Sequence, residues 1–400
     1  MSIKINIVHK ELNGGGIIRN VSKSRIAYPK KFKKFIPISE PYLGNDELDN
    51  VIEAVKSSWI SSKGKFIGEF EENFAKYHGV MYGISTSNGT AALHLALKTV
   101  GVEKGDEVII PTLTFAATAN AVLYCNGEPV LVDSNPEYWC IDPEKIEDKI
   151  TKKTKVIIPV HLYGHPCDMD PIMDIAEDHD IYVIEDSAEA HGAEYKSKKV
   201  GTFGDISCFS FYGNKIITTG EGGICLTNDE TFEKKIRILR DHGMNPNKRY
   251  WHDIVGFNYR MTNLQAAIGV AQVNKLDKCI NKKRELANYY QENLKEMRDD
   301  GLLSLHPEMP WAKCVYWIYS ILLKQKFNLE RDELIEELGK RGIDTRPLFY
   351  PINMMDPYFK GEKLPIAEEL SSKGISLPSS TTLDYKEISY ITETIKDLNI

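Results

Sequence analysis

SCFSFYGNKIITTGEGGICLTND, residues 207–229, sets one lysine between two apolar runs. Residues 207–212 alternate small and aromatic side chains and read as a buried strand. Thr218-Thr219-Gly220-Glu221-Gly222-Gly223 reads as a turn, and Ile224–Leu226 as a second strand. Lys215 falls in the connection. A lysine beside a strand, with aromatic neighbours Phe209, Phe211 and Tyr212, has little water around it, and burial lowers its amine pKa. Such an amine suits covalent chemistry with a carbonyl group. An isolated lysine is usually a solvated surface charge, so the reading depends on what surrounds this one.

Working outward, short apolar runs at residues 80–85, 107–110, 129–132, 156–160 and 182–185 alternate with stretches of helical spacing at 66–77 and 91–99. Strands alternating with helices predict an α/β domain with a mostly parallel central sheet and helices on both faces. Ligands gather at the carboxyl ends of strands in such sheets. Residues 45–57 place Leu48, Val51, Ile52 and Val55 on one helical face, with Asn45 as a cap. Residues 262–297 contain no proline and predict one nearly continuous helix, bridging to a smaller C-terminal α+β domain. That domain carries an apolar strand within 316–323, a helix over 331–340, a proline-rich loop over 346–357 and a last helix from about residue 384. The chain thus divides into an extension (1–35), a large domain (36–262) and a small one (263–400).

The bulk numbers narrow the class. With 400 residues, 42% hydrophobic and 27% charged, the chain is an ordinary globular sequence of two-domain length. A net charge of −7 argues against a nucleic-acid surface. Seven scattered cysteines without a CxxC pair read as reduced thiols. No run reaches the roughly 20 apolar residues of a membrane span, and no signal-peptide core opens the chain. The expectation is a cytoplasmic protein. Residues 1–35 hold nine Lys or Arg against the single acid Glu11, and read as a loosely ordered arm.

Three clusters follow strands. Ser87-Asn88-Gly89-Thr90 turns into a helix whose first N–H groups and dipole favour a phosphate, with Gly89 allowing close approach; the plain alternative is a helix cap. Glu185-Asp186-Ser187-Ala188-Glu189-Ala190-His191-Gly192 ends a strand in two carboxylates. An Asp there can keep a pyridine nitrogen protonated, making the ring an electron sink; helix caps, or a metal site with His191, are the alternatives. Ser210, five residues before Lys215, can give its hydroxyl to a phosphate. Together these point to pyridoxal phosphate (PLP) joined to Lys215 as a Schiff base.

Six stretches occur in the order seen in one family: SNGTAALHLAL (87–97), PTLTFAATANAV (111–122), HLYGHPCDMD (161–170), EDSAEAHGA (185–193), SFYGNKIITTGEGG (210–223) and GFNYRMTNLQAAIG (256–269). From about Pro37 to the C-terminus the chain resembles the PLP-dependent sugar aminotransferases of the DegT/DnrJ/EryC1/StrS type. The resemblance implies a fold type I aminotransferase acting as a homodimer with shared sites, with a tetramer of two such dimers as the alternative. Lys215 then carries the cofactor and Asp186 pairs with its ring nitrogen. Gly89, Thr90 and Ser210 hold the phosphate, Phe115 stacks on the ring, and Asn258 reaches the phosphate from the neighbouring subunit, with Arg260 close by. Glu189 stands where the family more often has Gln, near the ring's phenolic oxygen, where a charged carboxylate would repel. Relatives that replace the lysine by His are dehydratases, so Lys215 implies amine transfer.

Residues 250–263 and 344–355 look most like members acting on GDP-4-keto-6-deoxy-D-mannose with L-glutamate as donor. A UDP- or dTDP-linked 4-keto or 3-keto sugar is the alternative. His161, His191, Arg249, Trp251, His252 and Tyr350 are candidates for the nucleotide-sugar site, with packing or surface roles as the alternative. A non-catalytic PLP-binding regulator is disfavoured by the intact Lys215 and Asp186. A dinucleotide enzyme is disfavoured because no GxGxxG follows the first strand.

Overall fold

The computed structural model describes residues 35–358 and 360–399. The expected N-terminal arm, but for Phe35, lies outside them. Seven strands form the main sheet: β1 (Tyr82–Thr86), β2 (Glu107–Pro111), β3 (Glu128–Val132), β4 (Thr154–Ile157), β5 (Tyr182–Asp186), β6 (Ile206–Ser210) and β7 (Gly223–Thr227). Their order is β1-β7-β6-β5-β4-β2-β3. All run parallel except β7, which pairs antiparallel with both β1 and β6.

These strands read as unbroken apolar runs because both faces are buried. The alternation inside them is real but apolar on both sides. Val108 and Ile110 pack on one face with helices α3 (Gly89–Thr99), α4 (Ala116–Tyr124) and α6 (Glu230–Arg240). Ile109 packs on the other with α2 (Lys65–His78) and α5 (Met169–His179). Each Ile or Val sealed this way contributes roughly 1.5–3 kcal/mol.

Helix starts follow local chemistry. Asn88 caps α3 by accepting from Ala91 N at 2.8 Å, and Asp229 caps α6. Helix α1 (Asn45–Lys56) differs from expectation: Gly44, not Asn45, is its cap residue, and Glu47 reaches back to Gly44 N at 2.7 Å. Its buried positions are Glu47 and Ala54, while Val55 faces solvent.

The helix expected over 262–297 is two helices, α7 (Asn263–Val273) and α8 (Leu276–Asp299). Thr262 and Gln265 form a capping box at the start of α7. The break at Asn274–Lys275 has a cause in side chains. Gln272 donates to Tyr42 O at 2.8 Å and to Glu47 Oε1 at 2.7 Å. Lys275 Nζ meets both Glu47 oxygens at 2.8 Å. These bonds tie the junction to α1. The first turns of α8 pack in the main core through Cys279 and Ile280, and its later turns, from Leu286, in a third cluster.

That cluster belongs to a four-stranded antiparallel sheet of β8 (Leu303–Ser304), β9 (Ser320–Leu323), β10 (Arg346–Pro347) and β11 (Gly374–Ser376), in the order β8-β9-β11-β10. Helices α9 (Arg331–Lys340) and α11 (Tyr385–Asp397) complete it, while α10 (Pro365–Lys373) places Ala367 and Leu370 in the main core. No helix among the described residues is long and apolar enough to cross a membrane.

Candidate active site

The carboxyl ends of β1, β2, β5 and β6 open into a cavity of about 570 Å3. Lys215, Asp186, Glu189, Gly89, Thr90, Phe115 and Ser210 all line it, so seven residues spread over 127 positions of sequence share one cleft.

Lys215 sits in the loop between β6 and β7. The loop is closed by Phe211 N to Gly222 O at 2.8 Å, Thr219 N to Phe211 O at 3.0 Å and Thr218 Oγ1 to Phe211 O at 2.8 Å. The lysine side chain is 10% exposed, with Nζ 3.6 Å from Glu189 Oε1. The Trp317 ring centroid lies 3.7 Å from the same Nζ. Burial lowers its pKa, opposed by Glu189 and Asp186.

Asp186 ends β5 almost fully buried. It accepts from Thr118 Oγ1 at 2.8 Å and Ala188 N at 3.2 Å. Burial raises its pKa over these bonds. A carboxyl in that condition favours a cationic N–H partner. Glu189 Oε2 accepts from Tyr163 N at 2.8 Å. Its pKa is pushed up to about 7 by burial, against the pull of Lys215. A pKa raised in this way weakens the charged form whose repulsion was expected.

At the phosphate end, the N–H groups of Gly89 and Thr90 begin α3 without intrahelical partners. A Cβ on Gly89 would lie 2.8 Å from Ser210 Cβ, so glycine keeps this corner open. A buried acid for a ring nitrogen, a desolvated lysine, a helix N-terminus with a hydroxyl beside it and an aromatic at the mouth fit PLP without conflict.

Other expectations land elsewhere. His161 and His191 are completely buried and do not line the cavity. His161 Nδ1 accepts from Cys167 N at 3.0 Å and Nε2 meets Glu185 Oε2 at 3.1 Å, so both nitrogens serve the scaffold behind Asp186. His191 packs among Phe74, Phe209 and Phe211. Neither can touch a sugar. Arg249, Trp251 and His252 lie in an exposed excursion away from this protomer's own cavity; Lys248 Nζ stands 3.7 Å from the Trp251 ring centroid. Tyr350 is half exposed beside Arg331 and does not line the cavity, whereas its neighbour Phe349 does. Asn258 is also outside the lining, bonded to Arg260 Nε and Nη2 at 3.1 and 2.8 Å.

Two residues were missed. Thr118 fixes Asp186, and its place in PTLTFAATANAV, three after Phe115, is a usable signal. Trp317 covers Lys215 and donates from Nε1 to Asn214 O at 2.8 Å; a Trp about 100 residues beyond Lys215, with no motif around it, gives no such signal.

Fold and site together define a PLP-dependent aminotransferase of fold type I. Residues 41–396 match the DegT/DnrJ/EryC1/StrS aminotransferase family, and the chain belongs to it. It is 48% identical to a GDP-perosamine synthase of Escherichia coli O157:H7, over 91% of this chain and 98% of that protein. It is 46% identical to a GDP-perosamine synthase of Caulobacter vibrioides, over 88% and 95%. Among solved structures, Helicobacter pylori PseC, an aminotransferase involved in the biosynthesis of pseudoaminic acid, aligns with a TM-score of 0.86 at 30% identity, covering 92% of this chain and 99% of that one. The protein is a PLP-dependent sugar aminotransferase that takes an amino donor and a nucleotide-linked sugar.

Proposed function

We propose that the enzyme moves the amino group of L-glutamate to C4 of GDP-4-keto-6-deoxy-D-mannose, giving GDP-perosamine for surface polysaccharide synthesis in the cytoplasm. The observation that carries the choice of sugar is the near-complete coverage at 48% identity to a perosamine synthase. What supports the chemistry is Lys215, desolvated and facing two carboxyl groups.

PLP held there supplies an electron sink for charge left on the donor's Cα. Lys215 would hold the cofactor through its Nζ. Its free amine, less basic than an exposed lysine's, then takes the proton from the donor's Cα and delivers it to C4′. Asp186 keeps a proton at the ring nitrogen, and Thr118 keeps Asp186 aimed. Glu189 donates a hydrogen bond in its protonated form. In the second half-reaction the same Lys215 amine would return a proton to C4 of the sugar. We further propose a homodimer in which Asn258 of each subunit serves the neighbouring cleft.

The test is a product assay with L-glutamate and GDP-, UDP- and dTDP-linked 4-keto-6-deoxy sugars in parallel. Product from the GDP sugar, absent with Lys215→Ala, is the expected result. Preference for a UDP or dTDP sugar would overturn the choice of substrate; undiminished turnover by Lys215→Ala would overturn the mechanism.

A further inference from the structure

Lys283 on α8 is a buried lysine that the reaction does not use. It is 3% exposed, and its Nζ donates to Trp317 O at 2.7 Å and Ser379 O at 2.6 Å. Burial pushes its amine down to about 7, and the neutral form still has two N–H donors for these two carbonyls. An apolar residue here would leave both buried carbonyls unpaired.

The segment it holds is under tension. Tyr316 has φ of 48° and Tyr163 has φ of 51°, the left-handed region. The two stretches cross closely. Trp317 N donates to Tyr163 O at 3.1 Å, and a Cβ on Gly164 would approach Tyr316 N and Trp317 N to 2.9 Å. Tyr163 in turn donates its N–H to Glu189. At the other end, the Trp317 ring lies 3.7 Å from Lys215 Nζ, with Nε1 bonded to Asn214 O. The carbonyl held by Lys283 thus belongs to the residue whose ring covers the reactive amine.

We propose that Lys283 is a positioning residue: by binding the carbonyls of Trp317 and Ser379 together, it fixes the Trp317 ring over the Lys215 nitrogen. An aromatic face favours the protonated, cationic form of that nitrogen. The inference rests on PLP at Lys215 and not on the sugar aminated, so its failure would leave the substrate reading standing.

The test is a pH titration of the visible absorbance of PLP bound to Lys215 in the holoenzyme. Lys283→Met should lower the midpoint by about half a pH unit or more, as removal of an aromatic face from a cation predicts. Trp317→Leu should lower it similarly, and the double variant should match Trp317→Leu alone, because the lysine acts through the indole. Glu189 and Asp186, the charged groups facing Lys215, are unaltered in all three proteins. A native midpoint in Lys283→Met with only a lowered melting temperature would overturn the proposal. So would a shift that adds to that of Trp317→Leu. Lys283→Gln, whose amide can still donate to these carbonyls, should keep a midpoint close to native, and a shift as large as that of Lys283→Met would also overturn the proposal; should Lys283→Met not fold, Lys283→Leu, equally without donors, carries its comparison.

Discussion

Glu189 is a carboxyl group held next to a lysine, yet its pKa goes up, because loss of water outweighs the lysine at 3.6 Å. That has a consequence for stability. Without PLP, the folded protein keeps this proton to about pH 7, whereas an unfolded Glu releases it near 4.5. The folded state binds more protons across that window, so this group's contribution is full below pH 4.5 and is lost as pH rises through 7. Glu189→Gln removes the titration. Urea denaturation of the PLP-free proteins should show a native loss between pH 5 and 8 on the order of 1–3 kcal/mol larger than the variant's. Equal pH slopes would refute this assignment. Gly89 offers a second check. Alanine there meets Ser210 Cβ at 2.8 Å and its Cα at 3.3 Å. Gly89→Ala should fold but be destabilised by about 1–3 kcal/mol, the usual cost of overpacking, and bind PLP about tenfold or more weakly, read by equilibrium dialysis; a tenfold loss corresponds to about 1.4 kcal/mol.

At the scale of elements, the break between α7 and α8 depends on one ion pair and one amide. Glu47 is buried, and Lys275 and Gln272 overcome the cost of that burial and leave its pKa lowered. Lys275→Met would leave the carboxylate without its cation, with only Gln272 and the Gly44 N–H as partners. The expected loss is about 1–3 kcal/mol in urea unfolding at pH 7, discounted because Lys275 is partly in water. The loss should shrink as pH falls through the Glu47 pKa, since the native contribution is present only above it. The sequence predicted helix over these residues but not the break, for a local reason: Asn274 and Lys275 are compatible with helix, and what stops them is Glu47, more than 220 residues earlier. The same distinction separates the site residues that were legible from those that were not. Asp186, Lys215 and Gly89 follow strand ends, where topology delivers ligands. Trp317 and Lys283 act across long separations, with no local signal. His161 misled because a histidine after a strand has the same appearance in sequence whether its nitrogens face a ligand or, as here, a glutamate and a backbone amide.

At the scale of the whole molecule, Asn258 lies outside the lining of its own chain's cleft. Asn258 and Arg260 are bonded to each other and to Asp241 outside the lining of their own cavity. Nearby, the excursion over residues 245–255 exposes Tyr250, Trp251 and Val255, the last 88% exposed. Apolar and cationic side chains projecting together are costly to leave in water and are typical of an interface. A two-fold dimer would bring each such surface to the other chain's cleft. The proposal can be tested by complementation. Lys215→Ala and Asn258→Ala homodimers should each be nearly inactive. Unfolded together and refolded as a mixture, they form hybrid dimers in half of the population. Each hybrid contains one cleft with Lys215 from one chain and Asn258 from the other, both intact, and one cleft lacking both. Activity should recover to about one quarter of the native value, because half of the dimers carry one good site of two. Recovery cannot occur if Asn258 serves the cleft of its own chain, since no single chain then holds both residues. A mixture no more active than its parents, with hybrids shown by native mass spectrometry, would rule out the shared site.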